Sequence, residues 1–98
     1  MDNDSKMLSL FSTALIDLQV KFRSSPIEDR MLIRPSLEEL MSDYADYQIK
    51  LIKEGTITTD ADLAEMSDIK TEIEAAAQKQ QLIAAIGRTI GFVAGKVA

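Results

Sequence analysis

A chain of 98 residues, 46% of them apolar, is enough for one small domain and too short for two, and it is too apolar to stay disordered at a net charge of −5. Cysteine and histidine are both absent, which excludes disulfides, thiolate chemistry, imidazole bases and nearly every zinc or iron site, so no metal or cofactor is expected. Three Phe, two Tyr and no Trp leave a core of Leu, Ile, Met and Ala, a composition suited to helices packed on helices.

The charge is unevenly spread. Residues 1–74 hold all sixteen acids and eight of the bases, a net of −8, whereas residues 75–98 hold Lys79, Arg88 and Lys96 and no acid, a net of +3. The bases of the acidic part are dispersed singly among acids and form no row to meet phosphates, which argues against direct nucleic-acid binding. The opening MDNDSKM has no basic flank ahead of an apolar run, unlike a secretory signal, so a cytoplasmic protein is expected unless a signal-independent machine exports it.

In chain order, Met7, Phe11, Ala14, Leu15, Leu18 and Phe22 recur at helical spacing and predict an amphipathic helix over about 6–23, capped by Asp4 or Ser5 and stopped before Pro26. Ser25, Pro26 and Glu28 offer a new start, and Pro35 interrupts the pattern nine residues on, with Ser36 and Glu39 again at capping-box spacing. Two helices (about 26–34 and 36–54) or one helix kinked at Pro35 both satisfy this stretch. Gly55 ends it in the place favoured by a left-handed residue. A short turn then leads to a helix with Asp60, Asp62 and Glu65 near its positive end.

No helix stop is visible after Asp60. Met66, Ile69, Ile73, Ala76, Gln80, Ile83, Gly87, Ile90, Ala94 and Val97 keep alternating steps of three and four, predicting one long C-terminal helix over about 60–97. The fold expected is all-α: an acidic helical body (1–78) of three to four helices and an apolar, cationic C-terminal helix or tail (79–98). At ~1.5 Å per residue the first and third helices span roughly 27 Å against about 58 Å for an unbroken 60–98, so the tail outreaches the body. Leu82, Ile83, Ile86, Ile90, Phe92, Val93 and Val97 would then stand in water at a cost on the order of ten kcal/mol. A second copy, another protein or a membrane surface would cover them; otherwise a break near Gln78 to Gln81, or at Gly87, folds the tail back over the short second helix.

Gly87, Gly91 and Gly95 drift only ~40° per step along one side of that helix and form a shallow groove for close helix approach. The residues singled out as a contact surface are Ile83, Ile86, Gly87, Ile90, Gly91, Val93, Ala94, Gly95 and Val97. Seventeen residues with Arg88 among them are poorly suited to spanning a membrane. Removal of 82–98 is expected to leave a folded, monomeric body.

Other candidates resolve into surface and core. Counting from Asp60, a calcium loop would need glycine where Glu65 stands and glutamate where Thr71 stands. Glu38 with Glu39 and Asp43 with Asp46 lack a nucleophile or metal partner and read as a solvated helix face. Tyr44 and Tyr47 fit either core packing or an interface, and Arg30 and Arg34 either an acidic partner or nearby Glu38 and Asp29. No phosphate-binding glycine loop occurs. The reading is therefore a non-enzymatic helical interaction protein acting through its C-terminal helix, on itself or on a protein partner. The alternatives are a peripheral membrane protein using 82–98, an acidic decoy of a nucleic-acid-binding protein, and a polymerising subunit of a secretion or phage apparatus.

Overall fold

A computed structural model describes residues 2–97 as four helices, α1 (Asn3–Ser24), α2 (Ile27–Glu54), α3 (Asp60–Ala75) and α4 (Lys79–Val97). The expected all-α bundle is the fold, and its C-terminal helix takes the folded-back arrangement. The cap of α1 is Asp2 rather than Asp4 or Ser5: its carboxylate accepts the Ser5 N–H at 2.7 Å, a bond that holds the Asp2 carboxyl below its usual range. Asp4 is thereby free to accept the Thr58 N–H at 2.9 Å and tie the start of α1 to the α2–α3 loop.

The stretch 27–54 is one helix that runs through Pro35, with Pro26 at its cap position. A proline inside a helix removes one backbone bond and costs about 3 kcal/mol. Here the ring faces solvent, while Ile33, Leu37 and Leu40 on either side of it keep one buried stripe whose packing opposes a break. No helix starts at Ser36, so the capping box expected there does not form. Gly55 ends α2 with φ of 65° and its N–H on Leu51 O at 3.1 Å. At the start of α3, Thr59 and Asp62 exchange bonds of 3.0 and 3.1 Å in a complete capping box.

The predicted run 60–97 is divided at residues 76–78, with no glycine or proline at the break. Lys21 of α1 donates its ammonium to the carbonyls of Ile73 (2.7 Å), Glu74 (2.7 Å) and Ala76 (2.8 Å), taking the place of the next helical turn. On the far side, Gln81 Oε1 accepts the N–H groups of Ala77 (2.8 Å) and Gln78 (3.0 Å), which caps the start of α4 from its third position. The heptad phase therefore resets. Met66, Ile69, Ile73 and Ala76 are buried as expected, but beyond the break Leu82, Ala85, Ile86, Phe92 and Val93 turn inward and Gln80, Gly87 and Ala94 turn out.

The helices alternate in direction, with α3 packed on α1 and α4 rather than on α2. Ser12 bonds Tyr44 and Arg34 lies over Phe22, so α1 and α2 are antiparallel. Asn3 meets Thr58 and Asp60 while Lys21 meets Ile73, so α1 and α3 are parallel. Asp29 pairs with Lys79 and Lys50 reaches Lys96 O, so α4 runs parallel to α2 along a body 41 Å long. A turn as short as the one after Gly55 would ordinarily leave the helices on either side of it as antiparallel neighbours; here it carries the chain across the bundle instead, and α3 packs on α1 and α4.

Because α4 completes the core, deletion of 82–98 abolishes the cooperative unfolding transition of the remaining chain, observable as loss of a sigmoidal urea curve by circular dichroism. Ile86→Ala, at a site only 1% exposed, costs about 2–5 kcal/mol in the same assay. Lys21→Met, which removes charged bonds to three carbonyls, costs on the order of 2 kcal/mol and speeds amide exchange around the α3–α4 junction.

Candidate interaction surfaces

Of the contact residues read from the sequence, Ile86 and Val93 lie in the core, and Ile90 and Val97 are half-buried against it. These four pack with the bundle, and the picture of a projecting tail is corrected accordingly: its apolar side chains, Ile83 apart, are covered by the chain's own α2 and α3. Ile83, Gly87, Gly91, Ala94 and Gly95 remain on the outer side of α4. Among the described residues nothing lies within 4 Å of where a Cβ on any of the three glycines would stand, so no other helix described uses close approach to these backbones. Thr89, buried in the middle of α4, turns its hydroxyl back to Ala85 O at 2.7 Å and so needs no partner elsewhere.

All three cations of the tail find acids of the body. Lys79 meets Asp29 at 3.7 Å, Arg88 meets Glu72 at 2.7 Å, and Lys96 bonds Asp62 at the opposite end of the bundle. The bond to Glu72 raises the Arg88 guanidinium above its ordinary value. Burial pushes the Asp62 carboxyl upward, but the Lys96 hydrogen bond, the Thr59 N–H and the Lys96 charge together outweigh it and leave the group below its usual range. The charge asymmetry of the sequence is thus an intramolecular match between α4 and the helices it lies on.

A second surface was not singled out by the sequence reading. On the outer side of α2, Ile27 (61% exposed), Met31 (72%), Ile49 (51%) and Ile52 (78%) stand in solvent. With Pro35, Glu38, Ser42 and Ala45, also exposed, they follow steps of three and four over about 100° of arc, opposite the buried stripe of Ile33, Leu37, Leu40, Tyr44 and Leu51. The signal was present as a second apolar periodicity in 26–54, hidden because the strongly buried stripe explains the helix by itself. On α1, Ile16 and Val20 make a smaller exposed pair.

The remaining candidates belong to the body. Tyr44 stacks on Phe11 with ring centres 4.5 Å apart and shares a 2.7 Å hydrogen bond with Ser12; Tyr47 is fully packed, and burial raises its hydroxyl above the ordinary phenol value. Arg34 lies 5.8 Å over the Phe22 ring rather than beside an acid, above a groove of about 360 Å³ shared with Leu37, Glu38 and Met41. Asp60 receives Asn3 Nδ2 at 3.0 Å. Among the described residues no helix is long and apolar enough to cross a membrane. No protein-family model, curated protein or solved structure matches this chain.

The lowered Asp62 value sets a pH dependence. Its contribution to stability is present above the unfolded carboxyl value of about 3.9 and is lost as pH falls through the lower folded value. Urea unfolding of the wild type and Asp62→Asn across this range gives a stability gap that is full at neutral pH and closes in acid below about pH 4.

Proposed function

We propose that this protein is a non-enzymatic helical interaction module, working by packing preformed helix faces against protein, either another copy or a different partner. The observation that carries this reading is the outer face of α2: five large apolar side chains of this helix remain more than half exposed after the core is complete, and four of them, Ile27, Met31, Ile49 and Ile52, share that face, with Leu32 to one side of it. Singly scattered apolar residues are ordinary on a protein surface, whereas a row on one rigid face offers a ready-made seam to another helix. The outer strip of α4, with Ile83, Gly87, Gly91, Ala94 and Gly95, is a second surface open to close helix approach.

A membrane-surface role and an acidic-decoy role draw less support. The three cations of the tail are already paired with body acids, which lowers their attraction to anionic lipid and offsets part of the negative field a decoy would present. Met31→Lys with Ile49→Lys alters exposed positions only, so the doubly substituted chain keeps the wild-type melting curve and loses protein association in native extract and in purified form. Unchanged association would overturn the assignment to this face, and flotation with liposomes in place of protein association would overturn the reading itself.

A further inference from the structure

The outer face of α2 is patterned to fit its own reverse. Its large apolar residues sit at the two ends, Ile27 and Met31 near the start and Ile49 and Ile52 near the finish, with Pro35, Glu38, Ser42 and Ala45 between them. We propose that this face pairs with the same face of a second copy, the two helices antiparallel, in the register where facing residue numbers sum to about 80. The proposal rests on the interaction-module reading and gives its partner.

In that register Met31 faces Ile49 of the second copy, Pro35 faces Ala45, and Glu38 faces Ser42, each pair occurring twice about a two-fold axis. All of these residues are exposed and at the alternating spacing that lets facing helices interlock. The apolar ends meet apolar ends, and Ser42 and Ala45 between them are small enough to let the helix backbones approach. Registers one turn away also set apolar residues opposite one another, Ile27 with Ile49 at a sum of 76 and Met31 with Ile52 at 83, but they carry Ile52 or Ile27 past the end of the partner helix and draw Glu28 away from Lys53. Glu38 and Glu39 of the two copies come nearest at the axis, where the Ser42 hydroxyl donates to Glu38 of the other copy.

At the two ends of the face charge supports the same register, against the like charges of Glu38 and Glu39 at the axis. Glu28 and Lys53 lie on one flank of the face, at its opposite ends, and an antiparallel pairing brings each beside the other in the second copy. Among the described residues neither takes part in an ion pair within the chain, whereas the cations of α4 all do. The continuity of α2 through Pro35 is a requirement: only an unbroken helix of 28 residues keeps both ends of the face in one line.

The test is sedimentation of the purified full chain across concentrations bracketing ~10 µM, with charge and cysteine variants. The wild type dimerises, Glu28→Lys and Lys53→Glu each weaken the dimer at least ~10-fold, and the two together restore it. The chain has no cysteine of its own, so Met31→Cys mixed with Ile49→Cys reports register directly. The mixed disulfide forms readily, and Met31→Cys alone does not cross-link, because its two copies lie ~27 Å apart along the axis. A wild type monomeric throughout, a dimer indifferent to the charge variants, or preferential Met31→Cys self-linking overturns the pairing. A monomer that still binds another protein in a manner abolished by Met31→Lys with Ile49→Lys sinks the self-pairing alone and leaves the interaction module standing; a monomer without such binding sinks both.

Discussion

The structure depends on one junction, the three-residue break between α3 and α4. A helix ends where its last carbonyls find something better than the next turn, and here Lys21 supplies a charged donor to three of them. The ammonium comes from the last turn of α1, so the break depends on the α1–α3 seam. Gln81 then caps the new helix from within. With the chain turned, α4 runs back along α3 and lies beside α2, where five of its side chains close the core.

That turn converts three features into one. The apolar tail becomes the fourth wall of a bundle. Its cations come to rest against Asp29, Glu72 and Asp62, so the charge contrast between the two parts of the chain orients α4 on its neighbours. These ion pairs are partly exposed and individually weak, and burial of Leu82, Ile86, Phe92 and Val93 is the larger contribution; the charges chiefly select the alignment. The glycines, no longer needed for packing inside the chain, are left facing outward.

Closing the core with α4 also defines what is left over. The buried stripe of α2 is satisfied by the bundle, so the apolar residues on its opposite side have no intramolecular role. An exposed row of this kind on a long, continuous helix is the feature of the molecule most directly suited to another helix. In the C-terminal segment Ile86 and Val93 are structural, whereas the apolar row on the outer side of α2 stays exposed.

Much was legible in the sequence because it is local. The periodicity of α1, the end of α2 at Gly55, the acidic start of α3 and the all-α class follow from spacing, capping and composition that act within a few residues. Pro35 was ambiguous since a local cost of about 3 kcal/mol competes with packing that no local pattern measures. The break at 76–78 was unreadable from the heptad pattern alone, because Ala76, Ala77 and Gln78 are acceptable helix residues and the group that ends α3 lies more than fifty positions earlier in the chain. The sequence by itself determined that the chain folds as helices with a tail that must be covered. Only the tertiary structure decided what covers it, since the balance between one long helix and a folded-back pair rests on Lys21, three ion pairs and a shared core that exist only once the helices have met.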